Sequence, residues 1–243
     1  MFNFNPFRPR TQSASSHGRG RHIPVSRFVV DEFATNPEPR CPCMLLVDTS
    51  DSMKGEPIRQ LNEGLRTFAA DLREDSLAAK RVEIGLIRFG PVEIINDFQT
   101  ADHFVAPTLT ARSNTPMGEA IDLGISMLET RKSHYRNTDT PYYRPWIFLI
   151  SDGEPSDMIS AAIEKVRFGE AKKAFSFFAV GVDGANLRTL SEIAVRSPLR
   201  LRDLRFGEMF LWLSNSLKSV SQSRITEDVQ LVNPAIPTGW GSV

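Results

Sequence analysis

The chain lacks most of the features that would narrow its function at once. It has only two cysteines in 243 residues, Cys41 and Cys43, and a lone Cys-x-Cys cannot complete a four-ligand zinc site by itself. Two positions apart on a strand, both thiols share one face, the setting expected of small buried residues. The four histidines, His17, His22, His103 and His134, sit in polar or loop context without metal-ligand spacing. No stretch reaches the roughly 18 apolar residues of a membrane span, and the N-terminus carries no apolar core of the signal-peptide kind. The expected compartment is therefore the cytoplasm. Excess charge of one sign is also missing: Lys plus Arg and Asp plus Glu each number 29, so no polyanionic partner is implied.

Catalytic signatures are equally scarce. There is no G-x-x-x-x-G-K-[ST] loop to cradle a phosphate, and no Ser–His or Cys–His arrangement suggests a nucleophile with its base. A phosphatase of the haloacid-dehalogenase type would also start from an Asp at the end of a first strand and use Mg²⁺. Its acid–base partner would stand two residues on, where this chain has Ser50. The chain is expected not to be an enzyme, with a Mg²⁺-dependent phosphatase-like hydrolase as the alternative.

What is present is a regular alternation of strand and helix. Residues 1–40 read as a flexible leader rich in Asn, Ser, Gly, Pro and Arg, unable to bury enough apolar surface to offset its ordering entropy. Its spaced arginines, without aromatic residues between them, do not make a nucleic-acid arm. Met44–Val47 is a short continuous apolar run, the pattern of a strand buried on both faces. Ile58, Leu61, Leu65, Phe68 and Leu72 follow at helical spacing, with Pro57 in the first turn. Val82–Phe89 and Val92–Phe98 read as antiparallel strands joined at Gly90-Pro91. Pro116 begins a helix for which Thr115 is the N-cap candidate.

Residues 131–145 are polar and read as a long exposed connection. Beyond them come a strand at Trp146–Ile150, a helix opened by Asp157, a strand at Phe175–Val182 and a helix at Leu187–Ala194. An edge strand near Leu199–Leu204 and a last helix at Phe206–Val220 complete the pattern, and 223–243 read as a tail. The fold class is thus α/β: a doubly wound, mostly parallel central sheet flanked by helices, with one antiparallel edge strand, over residues 41–222.

In such sheets ligands gather beyond the carboxyl ends of the strands, where the strand order reverses. Asp48 ends one apolar run and Asp152 follows another; on neighbouring strands they would stand about 5 Å apart. Ser50 and Ser52 alternate on the loop after Asp48, and Thr115 enters from a different connection. Two anions and three neutral hydroxyls are hard oxygen ligands, suited to Mg²⁺ or a similar small divalent cation. Each residue also has a plain structural role open to it. Ser50, Ser52 and Thr115 could cap helices, and Asp152 before Gly153 could shape a turn.

Asp48-x-Ser50-x-Ser52, then Thr115, then Asp152-Gly153 resembles the metal-ion-dependent adhesion site (MIDAS) of von Willebrand factor A (VWA) domains, over about residues 41–222. The surrounding wording, Leu46 through Ile58, Thr115-Pro116-Met117-Gly118-Glu119-Ala120 and Ser151 through Asp157, is similar to a bacterial cytoplasmic subgroup associated with tellurium resistance and stress. The resemblance implies that Ser50, Ser52 and Thr115 ligate the metal directly, while Asp48 and Asp152 hold it directly or through water. The cofactor would be Mg²⁺, or Mn²⁺ or Ca²⁺. A sixth position would accept a Glu or Asp from a protein partner, with a kinase or phosphatase of the same system as a candidate. A scaffold with a silent metal site is the remaining alternative. The chain departs from the family at Asp51, where Gly is usual, and at Ser113-Asn114, where two Gly usually precede the threonine.

Overall fold

The structure is a computed structural model. It describes residues 33, 35–152, 154–182, 184–225, 227, 229–235 and 239–242; the leader expected over 1–40 falls outside them up to residue 32. Seven strands form one sheet in the order β3-β2-β1-β4-β5-β6-β7. These are β1 (Cys41–Asp48), β2 (Val82–Phe89), β3 (Glu93–Thr100), β4 (Trp146–Ser151), β5 (Ser176–Gly181), β6 (Leu199–Leu201) and β7 (Gly241–Ser242). The five from β2 to β6 in that order are parallel neighbours, while β3 and β7 run antiparallel at the two edges.

The helices are α1 (Glu56–Glu74), α2 (Ala78–Arg81), α3 (Met117–Asn137), α4 (Ser160–Ala171), α5 (Leu187–Ile193) and α6 (Phe206–Gln222). Alternation along β1 shows why that run is apolar throughout. Cys43, Leu45 and Val47 pack into a core shared with α1 and α6, whereas Met44 and Leu46 pack into one shared with α3, α4 and α5. Both faces are covered, so no position on the strand can be polar without a buried partner. On the first face α1 and α6 meet closely at Gly64, where a Cβ would stand 2.5 Å from the Phe210 ring.

Three expectations are corrected. Residues 131–145 are not an exposed connection: α3 runs on to Asn137, and Arg131, Lys132 and Tyr135 are buried. The cause lies in β2, where Glu83 is wholly buried. Arg131 Nε and Nη2 donate to its two carboxylate oxygens at 2.7 and 2.6 Å. The Tyr135 hydroxyl also donates to Glu83, and Arg40 Nε lies 2.9 Å away. The Phe33 ring lies against both guanidinium groups, 5.3 Å from Arg40 and 4.8 Å from Arg131. Secondly, β6 ends at Leu201 and is no edge, because the end of the chain supplies β7 beyond it. Trp240 is buried there, its ring 5.6 Å from that of Trp212 on α6. A second antiparallel edge thus joins the expected one. Thirdly, Asp157 does not open α4, which begins at Ser160.

Cys41 and Cys43 are both buried. Burial, reinforced by the neighbouring Glu83 carboxylate, pushes the Cys41 thiol up to about 12. Burial also raises Cys43, with Cys41 beside it. Since the thiolate is the nucleophile, neither cysteine should react with iodoacetamide between pH 7 and 9 in the folded protein. Both should react at once in denaturant. Mass spectrometry showing native alkylation would contradict this burial.

Candidate metal centre

Chain order creates the site. After β1 the chain crosses to β2 on one side and later returns to β4 on the other, so β1 and β4 diverge in their connections at adjacent carboxyl ends. The crevice of a doubly wound sheet opens at such a point. Val47 pairs with Ile150, which places Asp48 beside Ser151 and leaves Asp152 at the mouth.

The polar groups there are tied together by hydrogen bonds, one of them through the Ser50 backbone. Asp48 is fully buried; its Oδ1 accepts from the Ser50 backbone N–H at 2.8 Å, and its Oδ2 accepts from the Ser151 hydroxyl at 2.5 Å. The Ser50 and Ser52 hydroxyls are 2.9 Å apart, and Ser52 donates to Asp152 Oδ1 at 2.9 Å. Four of the five expected residues thus meet directly.

Thr115 arrives on a loop joined to both of the others. Arg112 N–H donates to Thr49 O at 2.7 Å and Asp51 N–H to Ser113 O at 2.9 Å, while Ser156 N–H donates to Thr115 O at 2.9 Å. Ser113 carries the positive φ of this loop, 68°, a conformation uncommon outside glycine. Of the two departures from the family pattern before the threonine, it is therefore Ser113 that bears the backbone strain. Asp51 takes no positive φ and instead opens a single 3₁₀ turn, Asp51–Met53.

The capping roles open to these hydroxyls are filled by other groups. Gly55, with φ of 86°, is the N-cap of α1, and Ser50 makes no side-chain cap bond. At α3 the cap position falls on Pro116, without a side-chain cap of its own. The first free N–H groups of α3 are taken instead by Asp157, whose Oδ1 accepts from Gly118 N at 3.1 Å and Oδ2 from Glu119 N at 2.8 Å. Asp157 is thus a helix cap as its residue type suggests, but for the helix before it in sequence. Helix capping leaves the Thr115, Ser50 and Ser52 hydroxyls unexplained.

Electrostatics point the same way. Burial raises the Asp48 carboxyl above its ordinary range, against hydrogen bonds from Ser151 and Ser50 that lower it. Burial also raises Asp152, and the Asp48 charge raises it further. Two carboxylates facing one another in a partly dry crevice disfavour their own ionisation, and a cation between them reverses that. Among the described residues no group of three or more His, Cys, Asp or Glu gathers. A site made here has two carboxylates and otherwise hydroxyls, a hard-oxygen set.

Sequence reasoning missed three supporting residues. Ser151 reads only as the end of a buried strand. Thr49 anchors the loop through its N–H and hydroxyl, both donating to Phe89 O, at 2.8 and 3.1 Å. Gly90 reads as a turn residue, yet a Cβ there would stand 2.8 Å from Ser50 N and 2.9 Å from both Arg112 O and the Thr49 carbonyl carbon. Its φ is +114°, so only glycine suits the position. Gly90→Ala should weaken divalent-metal binding while costing on the order of 1–3 kcal/mol of stability. Mg²⁺ titration beside thermal melting checks this; unchanged metal affinity would show that the turn does not seat the loop.

A doubly wound sheet with a hydroxyl–carboxylate cluster at its switch point defines a class of ligand-binding α/β domain. The family model of the von Willebrand factor type A domain matches residues 44–203, and the chain belongs to that family. Solved structures share the fold. The vWF domain of the type V pili tip protein Mfa5 from Porphyromonas gingivalis aligns with TM-score 0.57 and 10% identity over 79% of this chain and 99% of that one. The pilus adhesin SpaC from Lactobacillus rhamnosus GG gives TM-score 0.59 and 13% identity over 75% and 30%. Proximal thread matrix protein 1 from the mussel byssus gives 0.51 and 14% over 74% and 48%. The chain therefore spans about half of the mussel protein and under a third of SpaC. No curated protein matches the chain. Among the described residues no helix is long and apolar enough to cross a membrane.

Proposed function

We propose that this domain binds a protein partner through a divalent cation held by Asp48, Ser50, Ser52, Thr115 and Asp152. Family membership supports the general reading, since VWA domains are commonly metal-dependent adhesion or interaction modules. The observation that carries it to Asp48, Ser50, Ser52 and Asp152 is the run of hydrogen bonds from Ser151 to Asp48, from Asp48 to the Ser50 backbone, and from the Ser50 hydroxyl through Ser52 to Asp152; Thr115 joins them on the loop bonded to Asp51 and Thr49. The run is coupled to two carboxylates that burial and mutual repulsion hold ready for a cation. Asp48 and Asp152 would offset the charge of Mg²⁺, with Mn²⁺ and Ca²⁺ as alternatives, and the three hydroxyls would orient it without neutralising it further. The ion supplies Lewis acidity toward an outside carboxylate, so a Glu or Asp of the partner is the expected visitor.

The finer setting rests on the wording around the site. Leu46 through Ile58, Thr115 through Ala120 and Ser151 through Asp157 resemble the tellurium-resistance and stress subgroup, and on that resemblance the partner would belong to a cytoplasmic complex, with a kinase or phosphatase of that system a candidate. The domain itself acts by binding and not by catalysis. A pull-down from cells under stress, with and without EDTA, tests the proposal: partners retained only with Mg²⁺, and lost with Asp48→Ala, are expected. Partners indifferent to both would refute it. Phosphate release from a general phosphatase substrate, abolished by Asp48→Asn, would establish the enzyme reading instead.

A further inference from the structure

Beside the candidate metal centre, residues 154–159 combine contacts that anchor them to α3 and its preceding loop with one bare apolar side chain. Met158 is 91% exposed, the most exposed large hydrophobic residue among those described. Its backbone is nonetheless held at several points. Ser156 N–H donates to Thr115 O at 2.9 Å. Both oxygens of Asp157 receive N–H groups from the first turn of α3. Met158 O lies so near Gly118 that a Cβ there would approach it to 2.6 Å. Gly118, with no Cβ, permits that close approach. Asp152, just past the end of β4, is itself bonded to Ser52 of the cluster.

A single exposed apolar residue on a loose surface needs no explanation. This one stands on a backbone already ordered, next to the loop that carries Thr115, so contact with it costs little further ordering. We infer that Met158 is the apolar half of the partner-recognition surface: the partner presents an acidic residue to the metal and an apolar side chain, one or two residues away, to Met158. The inference rests on the metal-binding reading of the preceding section. Packing against Met158 would add apolar burial and exclude water from around the metal–carboxylate bond. The flexible, polarizable thioether suits apolar side chains of different shape, so the selection is for an apolar neighbour and not for one residue type.

The test uses the full chain and short synthetic peptides, Ac-Ala-Glu-Leu-Ala-amide and Ac-Ala-Glu-Ser-Ala-amide, titrated by NMR in saturating Mg²⁺ and again in EDTA. The Leu peptide should bind about tenfold more tightly than the Ser peptide, a difference of ~1.4 kcal/mol, and neither should bind in EDTA. Met158→Ser, an exposed change that leaves the core intact, should abolish the Leu preference while keeping Mg²⁺ affinity and Ser-peptide binding. Equal binding of the two peptides by the wild-type chain, or a preference that survives Met158→Ser, would overturn the inference and leave the metal site standing. Failure of both peptides to bind in Mg²⁺ would overturn it together with the carboxylate-binding reading.

Discussion

Glu83→Gln should lower the stability of the domain by about 3–5 kcal/mol, the usual result of breaking a buried ion pair from one side. For a domain of this size that corresponds to a fall in melting temperature on the order of 10 °C. The arithmetic follows from the partners left behind. Arg40 and Glu83 are both completely buried and Arg131 nearly so; with a neutral amide at 83, both guanidinium groups lose the carboxylate they share in a largely dry setting. The hydroxyl of Tyr135, whose own ionisation burial already suppresses strongly, loses its charged acceptor as well. The effect should spread, because the cluster joins β2 to α3 and to the chain entering β1. Glu63, exposed and paired with Arg59 on α1, provides the control: Glu63→Gln should leave the midpoint unmoved, as exposed pairs contribute little. Urea unfolding of the two variants beside the wild type checks the contrast. A Glu83→Gln protein as stable as Glu63→Gln would mean that water reaches this cluster.

The same cluster marks where sequence reading ran out. Apolar periodicity located β1, α1, β4 and α6 because their burial is written in residue type: Leu61, Leu65, Phe68 and Leu72 all face the core. It failed at 131–137, where burial is achieved by pairing Arg131 and Tyr135 with Glu83, three residues that singly read as surface. Such neutralisation depends on contacts 48 and 52 residues apart, which no local pattern records. The edge at β7 was invisible for a different reason, since two residues, Gly241 and Ser242, carry no strand signal. At the site, Asp48, Ser50, Ser52, Thr115 and Asp152 were legible as residue types at strand ends. Which residue caps α3 was not, because Asp157 reaches back across 39 residues to Gly118. Gly90 and Ser151 act only through the close approach of strands, so spacing gave no hint of them.

Asp152→Asn should separate the stability of the site from its function. Without metal, this substitution removes one of two facing negative charges while Ser52 keeps an acceptor oxygen, so the metal-free protein should melt a few degrees higher than the wild type. Each kcal/mol relieved is worth about 2–4 °C in a domain of this length. With Mg²⁺ the order should invert. A wild-type site saturated to a hundred times its dissociation constant gains about 2.7 kcal/mol by mass action, a rise of roughly 5–10 °C, whereas Asp152→Asn should gain little. Asp48→Ala should lose the metal response altogether, and it should also destabilise the metal-free fold, because it removes the buried carboxylate to which the Ser151 hydroxyl and the Ser50 N–H donate. Thr115→Ala should retain the fold and show a reduced response, having given up a neutral oxygen and no charge. Thermal melts across a Mg²⁺ series, with calorimetric titration of each variant, read all four proteins on one scale. A Mg²⁺ response persisting in both Asp48→Ala and Asp152→Asn would place the ion elsewhere. A metal-free Asp152→Asn that melts below the wild type would show instead that the two carboxylates already share a proton or a bridging water, and that their repulsion is not what readies the crevice for a cation.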